Sequence, residues 1–454
     1  MKTKNWIIFS LLILAIILSS YIIFIKQINN INIKITTTTK YLDKSKEELL
    51  FNLPENDYVI DCVLAPNGEH KACAVTQSNK TYVIYDNQKS ELYDENDYSF
   101  FELVFSPDSN HFAYVTKQNN QSYIIYDNQK SKVCAYDEGS SLSPIFSPDS
   151  NHFAYAYDDI QTEKSYFVYD GKKSEAYDGI YSLIFSPNSK NFAYIIWQNG
   201  KYYVIYNGEK SDGYENITSL TFSPDSKHFA YVVKQNLKTY VIYDNQKSDA
   251  RSYKNTKEDF VSISNLTFSP DSKHFVYYVR QNQGKNDMWY LVYDGQKQKN
   301  YSSLYHLTFS PDSKHFAYVA EENNKFYLIY DDLKSEAYDY MITSLTFSPD
   351  SKHFAYVGLK HKNKYYISYD NQISEIPNWA GELTFSPDSK HFAYVSHNNC
   401  NEVMCSEDNL IYDDQKTELY YMVYDMQINK DNFLQYIYEK DDKIYFKQID
   451  LNVK

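Results

Sequence analysis

Eight histidines recur at one position of a repeated sequence unit, and imidazoles in such a series could bind metal or respond to pH. They are His70, His111, His152, His228, His274, His315, His353 and His391, while one further unit has Asn191. Because metal ligands must converge on one point, copies in separate units lie too far apart to share an ion. We interpret each histidine as a structural contact beside a turn. The neighbouring aspartates, such as Asp108 and Asp149, are interpreted as acceptors for backbone N–H groups of that turn.

The first pair of cysteines offers redox chemistry. Cys62 and Cys73 stand where other units carry leucine and tyrosine, as in Leu103 and Tyr114. A symmetric hairpin would place the two cysteines opposite each other. They are therefore either a cross-strand disulfide in an oxidising compartment or two small buried apolar residues.

A second pair, Cys400 and Cys405, lies in a long loop and could form another disulfide. A zinc site with His397 is the alternative, but a single histidine beside a CxxxxC spacing departs from the usual ligand patterns. Cys134 has no obvious partner. The sequence predicts no metal and no other cofactor.

Enzyme signatures are missing from the sequence. The chain contains no GxSxG, no glycine-rich phosphate loop and no HExxH. Its formal net charge of −14 is also opposite to the basic surface that neutralises nucleic-acid phosphates. These observations predict neither a catalytic site nor nucleic-acid binding.

The histidines and aspartates belong to the repeated string Leu-Thr-Phe-Ser-Pro-Asp-Ser-Lys-His-Phe-Ala-Tyr-Val. Its prolines are Pro66, Pro107, Pro148, Pro187, Pro224, Pro270, Pro311, Pro349 and Pro387. Their spacing of 37 to 46 residues is typical of a propeller blade with four strands. Abundant tyrosine, 49 residues, and scarce glycine, 11 residues, favour ordered sheet over disorder.

The seventh unit shows how the string is expected to fold. Its predicted elements are strand A at 307–309, a turn at 310–313, strand B at 315–319, strand C at 325–330, a second turn at 331–334 and strand D from Ser335. Alternation in strands A and B predicts that Phe309 faces Phe316, with Thr308 and Ala317 on the other side of the sheet. The large face of one unit then meets the small face of the next, so the units must stack into a ring.

The two ends of the array predict how this ring closes. Residues 424–449 resemble strands A, B and C of a further unit, placed at 432–433, 435–437 and 443–446. Residues 43–50 resemble a C–D turn followed by strand D, so the N-terminal strand could complete the last blade and remove an open sheet edge. The prediction is an all-β propeller of about ten four-stranded blades. Two five-bladed propellers joined within 250–264 are the alternative.

The N-terminus is predicted to be a transmembrane anchor. Residues 6–25 carry no charge over the length that spans a bilayer core as a helix. A late-cleaved signal peptide is the alternative. The predicted domains are a tail at 1–5, the anchor at 6–25, a polar stalk at 26–45 and the repeat domain at 46–454. Flanking lysines barely orient the anchor, and the common arrangement of such proteins places the propeller on the extracytoplasmic side.

The string Phe-Ser-Pro-Asp-Ser-Lys-His-Phe-Ala-Tyr resembles the WD-like propeller repeats of TolB-type proteins, and is similar to those in N-terminal propellers of dipeptidyl-peptidase-like proteins. The resemblance covers about residues 46–450. It implies a binding or scaffolding role at the cell envelope and names no ligand. That family usually has glycine after the turn aspartate. Here serines such as Ser109 replace it and Gly68 alone keeps it, which predicts slight strain in the turn.

Loop lengths predict which face of the ring binds a partner. The A–B and C–D turns have constant length and lie on one face, whereas the B–C and D–A loops on the other face vary. Insertions in repeat arrays tend to mark the binding face. The candidate binding residues on this variable face are Trp197, Trp379, His397 and Met404. Each tryptophan could instead pack against a neighbouring loop.

Together these features predict a membrane-anchored, non-catalytic scaffold that recognises a protein or peptide partner at the cell envelope. The alternative is a propeller enzyme that acts on an envelope glycan or a small ester through carboxylates in its channel. Three or more carboxylates at the channel mouth would favour that enzyme. A purely structural surface protein is a third possibility, because propellers host many unrelated activities.

Overall fold

The computed structural model describes residues 45–78, 80–94, 102–119, 121–131, 144–159, 161–248, 261–283, 286–340, 342–360, 364–376, 379–398 and 407–452. Within these ranges no helix has the length and apolar character needed to cross a membrane. The predicted anchor at 6–25 lies outside the described residues. So do Cys134, Cys400, Met404 and Cys405.

The described residues form ten antiparallel blades, each with strands A to D from the inside outwards. The first strand of the chain, β1 (Ser45–Asn52), belongs to blade 10. Blades 1 to 3 contain β2 (Tyr58–Leu64), β3 (Lys71–Gln77), β4 (Lys80–Tyr85), β5 (Gln88–Lys89) and β6 (Tyr93–Asp94); β7 (Leu103–Phe105), β8 (Phe112–Gln118), β9 (Gln121–Tyr126) and β10 (Gln129–Lys130); and β11 (Ile145–Phe146), β12 (Phe153–Asp159), β13 (Lys164–Tyr169) and β14 (Lys172–Lys173).

Blades 4 to 6 follow the same order along the chain. They contain β15 (Gly179–Phe185), β16 (Phe192–Gln198), β17 (Lys201–Tyr206) and β18 (Glu209–Lys210); β19 (Asn216–Phe222), β20 (Phe229–Gln235), β21 (Lys238–Tyr243) and β22 (Gln246–Lys247); and β23 (Val261–Phe268), β24 (Phe275–Gln283), β25 (Asn286–Tyr293) and β26 (Gln296–Tyr301).

Blades 7 to 10 complete the array. They contain β27 (Ser303–Phe309), β28 (Phe316–Glu322), β29 (Lys325–Tyr330) and β30 (Leu333–Lys334); β31 (Thr343–Phe347), β32 (Phe354–Lys360), β33 (Lys364–Tyr369) and β34 (Gln372–Ile376); β35 (Ala380–Phe385), β36 (Phe392–Asn398), β37 (Glu407–Tyr412) and β38 (Gln415–Lys416); and β39 (Met422–Ile428), β40 (Phe433–Lys440) and β41 (Lys443–Asp450), with β1 as strand D of blade 10.

The ring is single and is closed by the N-terminal strand. β1 pairs antiparallel with β41, from Ser45 opposite Ile449 to Asn52 opposite Lys443. Strand A of blade 10 contacts strand A of blade 1, and strand A of blade 5 contacts strand A of blade 6. Two five-bladed propellers would instead require blade 5 to meet blade 1. The ten-bladed prediction and the predicted N-terminal closure are therefore confirmed.

Strand boundaries in blades 7 and 10 differ from the sequence prediction, and strands A and B of blade 7 are longer than predicted, at Ser303–Phe309 and Phe316–Glu322. In blade 7, strand D begins at Leu333 rather than Ser335. The reason is that the C–D turn consists only of Asp331 and Asp332, both with positive φ (45° and 64°), as a tight two-residue hairpin requires. In blade 10, strand A is β39, so Asn432 belongs to the A–B turn. The predicted register of Phe309 opposite Phe316 and Thr308 opposite Ala317 is confirmed.

Most neighbouring blades are joined by three aromatic rings. Tyr85 at the end of strand C in blade 1 packs on Phe105 and Phe112 of blade 2, with centroid distances of 6.0 and 5.0 Å. These large rings lie over the small side chains of the blade before, here Ala72 and Ala74. Rings that pack at such distances stabilise beyond the area they bury. The repeat therefore needs tyrosine and phenylalanine at fixed positions, which accounts for the unusual composition.

The turn serines link one blade to the next. Ser109 has φ of 66°, so the predicted backbone strain is present. Its Oγ, however, accepts a hydrogen bond from the Asn67 N–H of the preceding blade at 3.0 Å. Blades 2 to 9 repeat this contact at 2.8 to 3.0 Å through Ser109, Ser150, Ser189, Ser226, Ser272, Ser313, Ser351 and Ser389. Serine thus supplies an acceptor between blades that glycine lacks.

The eight repeated histidines make the predicted structural contact within their own blades. Each Nδ1 lies 2.5 to 2.7 Å from an aspartate of the C–D turn, in the pairs His70–Asp86, His111–Asp127, His152–Asp170, His228–Asp244, His274–Asp294, His315–Asp331, His353–Asp370 and His391–Asp413. In blade 4, Asn207 donates instead to Asn191 at 2.7 Å. Both members of the pair therefore change together, and each pair ties the A–B turn to the C–D turn.

Candidate functional site

An exposed tryptophan stands at the start of an innermost strand in blade 9. Trp379 directly precedes β35, and its surface is 41% exposed. Its indole stacks on the imidazole of His397, with ring centroids 4.6 Å apart and an angle of 14° between the planes. The His397 backbone N–H donates to the Trp379 carbonyl at 3.0 Å. The ring is therefore held in a fixed orientation on the face of variable loops.

His397 is itself oriented by a buried carboxylate. The antiparallel register of β36 and β37 places Asp408 opposite His397, and His397 Nδ1 lies 2.7 Å from Asp408 Oδ1. Asp408 is 4% exposed, and its second oxygen accepts the Val423 N–H at 2.9 Å. Because both oxygens are engaged, the carboxylate cannot rotate away from the imidazole. Asp408 therefore fixes the orientation of the His397 ring.

Carboxylates gather on one sector of the innermost strands. Strand A of each blade ends in a Thr-Phe pair or its equivalent. The position two residues before this pair is acidic in four adjacent blades, with Glu382 in blade 9, Asp425 in blade 10, Asp61 in blade 1 and Glu102 in blade 2. Blades 4 to 8 carry Ser182, Ser219, Asn265, His306 and Ser344 at this position. Since strands A surround the central channel, negative charge is concentrated on the side formed by blades 9, 10, 1 and 2.

Burial and mutual repulsion perturb three of these groups. The surface of Glu382 is partly exposed, but most of the space around its carboxyl group is filled by protein. This partial desolvation raises the pKa of Glu382 to about 7, and repulsion by Asp425 adds to the rise. Burial likewise raises the pKa of Asp61, and repulsion by Asp425 contributes to that rise. Burial also raises the pKa of Asp425, although its Oδ2 accepts the Leu64 N–H at 2.7 Å. Perturbed carboxyl groups of this kind cluster at functional sites.

Trp379, His397, Asp408 and Glu382 form one site, which we call the blade-9 site. His397 and Asp408 both act electrostatically on Glu382. The site combines a flat apolar surface, an oriented imidazole and a carboxyl group that changes charge near neutral pH. Among the described residues no three His, Cys, Asp or Glu side chains are arranged to hold a metal ion.

The predicted binding residues do not all come together. Trp379 and His397 are in direct contact at the blade-9 site. Trp197 lies five blades away at the end of β16, half-buried, with its ring 4.5 Å from that of Tyr202. Cys62 and Cys73 are opposite each other in blade 1 and are joined by a disulfide.

The sequence prediction missed Asp408, Glu382 and the other channel carboxylates. A signal for the carboxylates was available, because aligning strand A across units shows that this position is acidic only in adjacent blades. Asp408 had no such signal. Its role follows from the register of β36 against β37 across a loop that no other unit shares.

Ten antiparallel blades in one closed ring define a β-propeller, the class implied by the resemblance of the repeat. No protein-family model and no curated protein matches the chain. Among solved structures, "Crystal structure of the eukaryotic initiation factor" is similar over 84% of this chain and 98% of the other, with 13% identity and a TM-score of 0.48. "Structure of Dos1 propeller" is similar over 68% and 92%, with 13% identity and a TM-score of 0.36.

A third similar structure is the β-propeller domain of the Trilobed protease from Pyrococcus furiosus, with 13% identity and a TM-score of 0.32 over 61% of this chain and 95% of that domain. The assignment of the fold rests on the strand pairing of the chain itself. The TolB-type affiliation remains a prediction from the repeat.

Proposed function

We propose that this propeller is a non-catalytic binding scaffold that docks a protein or peptide partner at the blade-9 site. The observation that carries the proposal is Trp379, which is exposed yet fixed by stacking on His397. Tryptophan is among the residues that most often dominate the energetics of protein interfaces. A fixed ring also loses little entropy when a partner covers it.

The charge around Trp379 indicates the character of the partner. Glu382, Asp425 and Asp61 face the same sector, and the whole chain carries a formal charge of −14. Complementary charge steers association and excludes acidic competitors. We therefore expect the partner to present basic residues beside an apolar or aromatic contact for Trp379.

The proposal places the scaffold at the cell envelope. It relies on the uncharged stretch at 6–25 as a membrane anchor and on the resemblance of the repeat to envelope propellers. The propeller would then face the extracytoplasmic side. Labelling of intact cells with a membrane-impermeant thiol reagent, after reduction, tests this placement through Cys400 and Cys405. Labelling that requires cell lysis would contradict it.

The binding proposal is tested by crosslinking the full chain to envelope proteins in cells and comparing variants by quantitative mass spectrometry. Trp379→Ala is expected to reduce the recovery of specific partners at least tenfold. Trp197→Ala is the matched control, because Trp197 is a half-buried tryptophan on the same face in blade 4, and it is expected to retain them. Equal recovery with Trp379→Ala and the wild type would overturn the proposal.

A second candidate function is favoured by the four channel carboxylates on adjacent innermost strands. The strongest candidate among them is Glu382, whose pKa is raised to about 7 beside His397 and Asp408. A carboxyl group that is protonated near neutral pH can act as a general acid, and an oriented imidazole as its base. The candidate activity is hydrolysis of an envelope glycan or a small ester. Turnover of chromogenic glycosides or esters that disappears in Glu382→Gln would establish it. Equal turnover in that variant would rule out this role for Glu382.

A further inference from the structure

The seam between blade 10 and blade 1 contains a cavity of about 200 Å³. One wall is β1, through Glu48, Leu50 and Phe51, and the other wall is blade 1. The blade 1 residues are Glu69, Lys71, Cys73, Ile84, Asp86 and Asn87. Glu69 and Asp86 belong to the A–B and C–D turns, so the cavity lies toward the face opposite the variable loops.

The cavity exists because this seam lacks the three aromatic rings found at most others. The positions of Tyr85, Phe105 and Phe112 in the seam between blades 1 and 2 are occupied here by Gln448, Leu64 and Lys71. The Lys71 side chain does not fill this space, because its Nζ lies 4.3 Å from the centroid of the Phe446 ring and 3.7 Å from Glu48 Oε2. The volume that a phenylalanine ring fills elsewhere therefore stays open.

The lining has the chemistry of a site for a cation on an alkyl stem. Leu50, Phe51 and Ile84 provide apolar walls. Three carboxylates, Glu48, Glu69 and Asp86, surround them against the single cation Lys71. Lys71 lies beside Glu48 and donates to the Glu69 carbonyl at 3.3 Å, so it offsets only one of the three carboxylates. Asp86 is held by His70, which leaves the Glu69 side chain as the carboxylate with no cation beside it among the described residues. The remaining negative charge favours a positively charged guest.

We propose that this seam cavity receives the side chain of one arginine or lysine from an extended peptide. Small-molecule sites usually enclose roughly 300–1,000 Å³. The smaller seam cavity suits a single side chain, whose stem lies between Phe51 and Ile84. The cation of this side chain meets Glu69 next to the Glu48–Lys71 pair. This second site is separate from the blade-9 site and does not depend on it.

The test uses the peptide acetyl-Ala-Ala-Arg-Ala-Ala-amide and the full chain in detergent, with binding followed by ligand-observed NMR. A dissociation constant of about 1 mM is expected for one anchored side chain. Citrulline in place of arginine keeps the shape and removes the charge, and is expected to weaken binding at least tenfold. Acetyl-arginine-amide alone tests whether a free small cation suffices. Binding of either compound at the seam supports the site. Comparing their affinities shows whether the site prefers an arginine within a peptide or the free arginine derivative.

Lys71→Phe is the decisive variant, because it restores the residue found at this position in most blades and fills the cavity. It is expected to abolish peptide binding while the thermal midpoint stays the same or rises. Should Lys71→Phe fail to fold, the changes Glu48→Gln and Glu69→Gln remove the charge without filling the cavity and are expected to weaken binding at least tenfold. Trp379→Ala should leave this binding unchanged. Equal binding of the citrulline peptide, or unchanged binding in the folded variants, would overturn the proposal.

Discussion

The side-chain amide of Gln435 in blade 10 occupies the space where a Cβ on Gly68 of blade 1 would lie, with Oε1 only 1.8 Å from that position. Gln435 replaces the small residue found at this point in other blades, such as Ala113. Its Nε2 donates to Gln448 at 2.9 Å, and Gln427 donates to the Ala65 carbonyl of blade 1 at 3.0 Å. The closing seam thus replaces aromatic packing with a glutamine network around the buried Gln435, and Gly68 is required for it.

Gly68→Ala is expected to destabilise the propeller by about 3 kcal/mol, since the left-handed backbone and the clash with Gln435 add together. Gly200→Ala is the matched control. Gly200 has φ of 75°, close to the 70° of Gly68, but no atom lies within 4 Å of its Cβ position. It is expected to cost only about 1 kcal/mol. Thermal unfolding of both variants measures the difference, and equal losses would show that Gln435 does not occupy this space in solution.

The Cys62–Cys73 disulfide is expected to stabilise blade 1 by about 3 kcal/mol, because it closes a loop with a sequence separation of 11. Reductant should lower the denaturation midpoint of a chain in which Cys134, Cys400 and Cys405 are serine. The same chain with Cys62→Ala and Cys73→Ala should show no response to reductant. A midpoint that ignores reductant in the first chain would mean that the two thiols are not joined.

The histidine–aspartate pairs are expected to be replaceable only as pairs. Asp331→Ala in blade 7 removes the partner of His315 Nδ1 and of the Phe316 N–H, and should cost about 2 kcal/mol. The double change His315→Asn with Asp331→Asn copies Asn191 and Asn207 of blade 4, and should cost less than about 1 kcal/mol. Chemical denaturation gives both values. A double variant as unstable as Asp331→Ala would show that the asparagine pair is not equivalent.

The raised pKa of Glu382 predicts that the stability of the protein falls as pH rises. Folding raises its pKa from 4.5 to about 7, so the folded chain holds this proton more tightly than the unfolded chain across that interval. Stability contributed by the neutral acid is complete below pH 4.5 and is lost as pH rises through 7. Glu382→Gln should therefore stabilise the protein at pH 8 by about 1 kcal/mol and have no effect at pH 4. The expected gain is smaller than the full pKa shift implies, because solvent in the channel screens the charge. Equal effects at both pH values would contradict the raised pKa.

The fold could be predicted from the sequence because the order of large and small side chains in the repeat determines how neighbouring blades pack. The fixed positions of Phe309, Phe316 and Ala317 determine which faces meet. The segment 43–50, which resembles a C–D turn followed by strand D, identifies the closure. The two-residue turn Asp331–Asp332 was also recognisable, since paired Asx or Asx-Gly residues favour positive φ in tight hairpins. That signal was missed, and strand D was placed two residues late.

The candidate sites were harder to predict because they lie where the repeat is broken. The stacking of Trp379 on His397 joins a D–A connection to strand B, and the position of Asp408 depends on the number of residues between β36 and β37. The seam cavity depends on Lys71 turning toward Phe446, away from the space that a phenylalanine ring fills at the same position of most other blades. Such contacts follow from tertiary packing and leave no periodic trace in the sequence.

The seam cavity requires blade 10 to lie against blade 1, with β1 as the outer strand of blade 10. The acidic sector formed by blades 9, 10, 1 and 2 requires the same closure of the ring. The most direct measurement is an engineered disulfide between Glu47→Cys and Lys447→Cys, which face each other across β1 and β41, in a chain with Cys134, Cys400 and Cys405 changed to serine. Mass spectrometry should find this link within one monomer after mild oxidation. The control pair Glu47→Cys with Lys443→Cys, four residues out of register, should stay reduced. Absence of the first link, or equal formation of both, would contradict closure of the ring by the N-terminal strand.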